Sequence, residues 1–182
     1  MRNTLRLIAV IVLTVLCVAA QAPSQRPTRK SKAFDTKKAA SPFAPFLGTW
    51  KLVSSLETRR DGSVHPYGFG PHPAGYLMYD ATGHMCAQVV NTDRPKWKDP
   101  DHPTPEEIKT AFDGFGGYCG SYTVDGDTTT AVHIPEVPFD PNLPGQTKPR
   151  NYRFEDGHLI YSGTDKTDDG DVRWEMIWQK VR

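Results

Sequence analysis

A chain of 182 residues, 37% of them apolar and with a formal net charge of +1, is long enough for one domain with a true core. The near-neutral balance hides an asymmetry. Residues 42–182 carry 14 Lys and Arg against 20 Asp and Glu, a net of 14 − 20 = −6, and a domain this acidic is not suited to nucleic acid.

The chain opens with the basic stretch Met1 to Arg6, then the apolar run from Leu7 to Ala20. A charged start, about 14 apolar residues and small residues at the end are the parts of a secretory signal peptide over residues 1–20. Cleavage after Ala20 or Ala22 satisfies the small-x-small rule, and Ala20 is favoured because Pro23 follows the second site. The run falls short of the ~20 residues that span a bilayer, which weighs against a retained anchor. The bulky Leu16 before Cys17 weighs against a lipoprotein. The expected location is therefore outside the cytoplasm, periplasmic or extracellular, with no stable membrane insertion after cleavage. Residues 21–41 hold Arg26, Arg29, Lys30, Lys32, Lys37 and Lys38 against Asp35 alone. With so little apolar content they read as a basic, disordered linker, leaving 42–182 as the folded domain.

The domain's first strand is expected over Gly48 to Ser55, with Trp50 and Leu52 alternating with Thr49 and Lys51. Arg59 to Gly62 is a turn, and the Pro- and Gly-rich stretch His65 to Pro73 reads as a loop. The organising feature follows. Two apolar, aromatic and β-branched runs, Gly75 to Tyr79 and His84 to Val90, flank Asp80-Ala-Thr-Gly83, which predicts a β-hairpin closed by a glycine at positive φ. Leu77 and Tyr79 share one face and Tyr76 and Met78 the other, so both faces are expected to need cover. Thr104-Pro-Glu-Glu107 is a capping box with proline at the first helical position, predicting a short helix from Pro105 to about Asp113, and Gly114 to Gly117 reads as its flexible exit. Strands are then expected over Tyr118–Val124, Thr128–Ile134, Arg150–Phe154, His158–Ser162 and Val172–Gln179, with a long loop between Pro135 and Lys148. Seven or eight strands with short turns and one helix predict an all-β fold, an antiparallel barrel of about eight strands.

Five separate blocks carry a family resemblance: Phe46-Leu-Gly-Thr-Trp-Lys-Leu-Val53, Gly75-Tyr-Leu-Met-Tyr-Asp80, Gly83-His-Met85, Tyr118-Cys-Gly-Ser-Tyr122, and Val132-His133 followed by Arg150 and Trp178. In order and spacing they resemble the lipocalin-like domain family of bacteria and fungi over nearly all of residues 46–182. The resemblance implies a small lipocalin-like barrel with an internal cavity and does not imply catalysis. Cys86 and Cys119 depart from the family's usual small or apolar residues at these points. Both fall on the outer face of strands consecutive apart from the helix, so a disulfide and two separate thiols are both open.

Strand parity sends Trp50, Leu52, Tyr118, Tyr122, Val124, Tyr152, Phe154, Trp174, Met176 and Trp178 inward. Arg150 shares parity with Tyr152 and Phe154, and an inward arginine needs either an acid, such as Asp80 or Glu136, or an anionic ligand. Simple alternation would bury Val132 and Ile134 and expose His133, but the family match turns His133 to the cavity. It also brings in Arg94, matching another recurrent family arginine, to close the mouth. The candidate ligand-binding set is thus Trp50, Arg94, Tyr118, Tyr122, His133, Arg150, Tyr152, Trp174 and Trp178, a few polar anchors in an aromatic cup.

The six histidines lack metal-ligand spacing, and no nucleophile elbow, phosphate-cradling loop or dinucleotide fingerprint is present, so no metal or cofactor is expected. Three functions remain open. The first is an exported module binding a small apolar or amphipathic molecule, anionic ones included. The second is a cofactor-free isomerase, cyclase or hydrolase with His133 as acid or base. The third is a structural or protein-binding barrel whose interior is filled by side chains.

Overall fold

The computed structural model describes residues 41–182, so the expected signal peptide and nearly all of the expected linker lie outside the described residues. Asp80 sets the central turn: its Oδ1 accepts from the backbone N–H of Thr82 and of His84, while Gly83 takes φ of +89°. This turn joins β3 (Pro73–Tyr79) to β4 (His84–Asn91) in register, Tyr79 opposite Met85 and Pro73 opposite Asn91. Successive antiparallel partners follow: β5 (Phe115–Asp125), β6 (Thr130–Pro138), β7 (Lys148–Glu155), β8 (His158–Thr167) and β9 (Gly170–Lys180). β1 (Gly48–Thr58) pairs with β3 on one side and β9 on the other, closing the sheet. β2 (Val64–Pro66) is a short strand folded back on β1. The result is the expected closed antiparallel barrel of eight strands, with β2 outside the closure and one helix, α1 (Pro105–Asp113), between β4 and β5.

The helix carries the expected capping box. Thr104 Oγ1 accepts from Glu107 N–H, and the Glu107 carboxylate accepts from Thr104 N–H. Its apolar face is not buried: Ile108 and Phe112 are exposed, the Phe112 ring lying 4.7 Å from that of Phe139 between centroids. Three other readings change. His65 lies in β2 rather than a loop, Phe115 to Gly117 begin β5 instead of forming a flexible exit, and β6 runs on to Pro138. The outer face of the central hairpin is left open, with Tyr76 51% and Met78 43% exposed. A closed barrel buries only its inner face, so that side needs no second layer.

Inner residues follow the expected parity, with breaks in β1 and, at Glu136, in β6. A bulge in β1 sets Leu52 against Trp178 but Ser54 against Ile177, so Ser55 rather than Ser54 becomes buried, its hydroxyl donating to the carbonyl of Tyr67. A bulge adds one residue to a strand and reverses the alternation beyond it. On the outer wall Cys86 stands opposite Cys119 in the β4–β5 ladder, Cα atoms 4.1 Å apart, and the two form a disulfide. Of the two arrangements left open, the bridge is the one formed.

The barrel's two ends differ. One is plugged by the turn before β1. Phe46 is fully buried, its ring 4.8–5.5 Å from those of Tyr79, Tyr152 and Phe154 and 6.5 Å from Tyr122. Its carbonyl accepts from Trp50 Nε1 at 2.7 Å. Among the described residues no helix is long and apolar enough to cross a membrane.

Candidate functional site

The other half of the barrel is hollow. A cavity of about 590 Å³ opens between the plugged end and the mouth, within the ~300–1,000 Å³ of small-molecule sites. A filled interior is therefore not what this chain has. Leu77, Ala87, Val89, Met176 and Trp178 form its apolar wall, and Phe69, Phe112, Phe115 and Phe139 stand around it. Phe139 packs edge-on against Phe115 at 4.8 Å.

Its polar groups come from five strands. His133 is 1% exposed and points inward from β6 beside Ala131, while Val132 and Ile134 face out, half-buried. Both ring nitrogens are occupied: Nε2 lies 2.5 Å from Tyr79 Oη and Nδ1 2.8 Å from Tyr118 Oη. Tyr79 Oη in turn lies 2.5 Å from Tyr161 Oη. Burial, with the Arg150 guanidinium adding to it, holds the imidazole well below its ordinary 6.5, so the ring is neutral, with one donor and one acceptor nitrogen. Burial also drives the Tyr79 and Tyr161 phenols above their ordinary value, and both stay protonated.

Arg150, half-buried on β7, is the cation beside the tyrosines, and Lys148 on the same strand also borders the cavity. Its Nη2 donates to Tyr118 Oη in a long bond of 3.4 Å, and its Cζ lies 5.3 Å from the Trp174 ring centroid, a cation–π contact. Trp174 also stacks on Tyr67, centroids 5.4 Å apart and planes 7° from parallel. Both Tyr67 Oη (2.7 Å) and Trp174 Nε1 (3.2 Å) donate to the Asp165 carboxylate at the rim. Gly163 permits this placement, since a Cβ there would come within 2.4 Å of the indole. No acid among the described residues pairs with Arg150. Of the two acids considered, Asp80 is held in its own turn and Glu136 accepts from Ser121 N–H.

Of the nine candidate residues, Tyr118, His133, Arg150, Trp174 and Trp178 border the cavity. Trp50, Tyr122 and Tyr152 are inward but belong to the plugged end around Phe46. Parity distinguishes inside from outside but says nothing of height along the barrel axis. Arg94 lies outside the cavity: its Nε donates to the carbonyl of Asn91 and its Nη1 to that of Ala111, so it ties the helix's last turn to β4 instead of closing the mouth.

Tyr79, Tyr161, Tyr67 and Asp165 were not among the candidates. An inward histidine needs a partner for each nitrogen, and that requirement points to inward hydroxyls such as Tyr79 on β3, three strands away. Among the described residues no group of histidine, cysteine and acid side chains is arranged to hold a metal.

The sequence model of the lipocalin-like domain matches residues 47–181. The chain belongs to the lipocalin-like domain family. The match covers every barrel strand and each cavity residue named above. Among solved structures the chain is similar to a siderocalin, Ex-FABP, described as functioning through dual ligand specificities. Identity is 8%, over 75% of this chain and 71% of that one, with a TM-score of 0.28, too loose a likeness to align site residues. No curated protein matches the chain.

Proposed function

We propose that this lipocalin-like barrel is an exported binding module that holds a small amphipathic molecule, its apolar body in the aromatic cavity and an anionic group at Arg150. The observation that carries the reading is Arg150: a half-buried guanidinium facing a 590 Å³ cavity with no carboxylate partner among the described residues. A charge withdrawn from water needs a counter-charge or strong acceptors. Tyr118 and the face of Trp174 meet that need only in part. Direct acid–base work by His133 has less support, because both of its nitrogens are already bonded to tyrosines. Export is supported by the signal-like run over residues 1–20, and the disulfide suits an oxidising compartment.

Trp174 and Trp178 border the cavity, so a long-chain or aromatic carboxylate is expected to quench tryptophan fluorescence saturably. Arg150→Met keeps much of the bulk and removes the charge-assisted bonds. It should weaken carboxylate binding by roughly 1.5–3 kcal/mol and leave a neutral analogue nearly unaffected. A folded protein that shows no saturable quenching with a broad panel overturns the reading, as does an equal loss for acid and neutral ligands. For export, N-terminal sequencing of secreted or periplasmic material should begin near Gln21. Intact Met1 recovered in the membrane fraction would show that this part is wrong.

A further inference from the structure

The hydrogen-bonded chain Tyr161–Tyr79–His133–Tyr118 holds a countable number of protons. Three phenols and a neutral imidazole bring four N–H or O–H hydrogens, and three hydrogen bonds link the four groups. One hydrogen is left over. In one arrangement Tyr161 donates to Tyr79, Tyr79 to His133 Nε2, and His133 Nδ1–H to Tyr118, whose own hydroxyl hydrogen is then free. In the others Tyr118 donates to His133 Nδ1 and Nε2–H donates to Tyr79, and the free hydrogen sits on Tyr161 or, if Tyr161 donates to Tyr79, on Tyr79 itself.

The two ends are not equivalent. Tyr118 and Tyr161 border the cavity, but Tyr161 is 2% exposed and has no second partner among the described residues, and Tyr79, 3% exposed, has no acceptor beyond this chain, whereas Tyr118 is half-buried and open to the cavity. A buried donor without an acceptor costs roughly 1–3 kcal/mol, which favours placing the free hydrogen on Tyr118. Arg150 Nη2 already donates to the Tyr118 oxygen, so that hydroxyl can accept from Arg150 and His133 while its hydrogen turns into the cavity.

Resting on the binding reading above, we propose that Tyr118 Oη–H and the Arg150 guanidinium form a two-donor site for one carboxylate oxygen of the ligand, and that His133, as its Nδ1–H tautomer, is a positioning residue that holds the Tyr118 hydrogen toward that oxygen. The site presents donors side by side with an aromatic face, and a ligand group with a hydrogen of its own to donate finds no free acceptor at Tyr118. It therefore selects an unprotonated oxygen over an alcohol or amine. His133 touches tyrosines, not ligand.

The test uses 2-naphthoate, with 2-methylnaphthalene as a probe of similar shape that has no acceptor, titrated against the mature protein by tryptophan quenching at pH 8. Tyr118→Phe is expected to weaken 2-naphthoate about tenfold and to change 2-methylnaphthalene less than twofold. An equal loss for both probes, or no loss for either, overturns the proposal while leaving the binding reading in place. Wild-type protein that binds neither probe defeats both. Nitrogen-15 NMR of the wild-type complex reads the histidine directly and does not depend on how the variant folds. A protonated Nδ1 and bare Nε2 on His133 is expected, and the reverse tautomer in the complex rules the two-donor site out.

Discussion

The two halves of this barrel are built from the same residue types and do opposite things. Around Phe46, aromatic rings from β3 and β7 meet it edge to face and one from β5 is tilted to it, at 4.8–6.5 Å, and they fill the interior. Around Arg150, rings from the β2–β3 connection, β5 and β9 line a wall and leave a cavity. The difference lies in where polar groups sit. The plugged end satisfies its donor within the plug, Trp50 Nε1 on the carbonyl of Phe46. At the hollow end a guanidinium and a tyrosine hydroxyl are left with capacity to spare. Tyr79 belongs to both, its ring 5.5 Å from Phe46 and its hydroxyl on His133, so the plug is the support on which the cavity floor rests.

If that is so, the largest effect comes from the plug. Phe46→Ala is expected to cost about 3–5 kcal/mol, the usual range for deleting a fully buried aromatic ring. Urea unfolding with an unchanged m-value would measure it. A loss below 1 kcal/mol would mean that the turn before β1 is an accessory. The disulfide lies at the boundary between the halves, since the flanking inner pairs are Met85 with Gly120 and Ala87 with Tyr118. Replacing Cys86 and Cys119 together by Ser should cost about 2–4 kcal/mol, because the bridge closes a 33-residue separation in the unfolded chain. Carboxylate binding by the folded fraction should survive. A lost ligand response in a still-folded double variant would show that the bridge, and not the plug, holds the cavity open.

Much of this division follows from local signals, and what escaped is non-local. The hairpin at Asp80 to Gly83 and the capping box at Thr104 are written in adjacent residues, and both form as expected. Parity correctly sent Trp174, Trp178 and Arg150 inward, because an undisturbed strand alternates strictly. It could not separate Trp50 and Tyr152, which pack near the plug, from Trp174, which lines the cavity. It could not see the β1 bulge that buries Ser55 either. Phe46 precedes the first strand and carries no periodicity, so nothing local marks it as the plug. The Tyr79–Tyr161 contact spans 82 residues and depends on closure of the sheet, which no local pattern encodes.

The smallest expected effect is a pH dependence that sharpens the contrast, because it arises where the two halves meet. His133 is buried and neutral, held well below its ordinary 6.5 by burial and then by Arg150. In the unfolded chain it takes up a proton near its ordinary value, and in the folded protein it does not. Stability is therefore fully present above about pH 6.5 and falls as the pH drops below it, by up to about 1.4 kcal/mol per unit, or about 1–2 kcal/mol between pH 6.5 and 5. The turn and cap carboxylates of Asp61, Asp80, Asp99, Glu107 and Asp125 are held below their ordinary 3.8–4.5, chiefly by hydrogen bonds. Their contribution is present above those ordinary values and is lost at lower pH, outside this window. His133→Gln supplies a neutral donor and acceptor without a titration. Its stability, measured by urea unfolding at each pH, should be lower at pH 8 but flat between pH 6.5 and 5. If the variant keeps the wild-type slope, the titrating group lies elsewhere, and His133 is not the buried neutral link between plug and cavity.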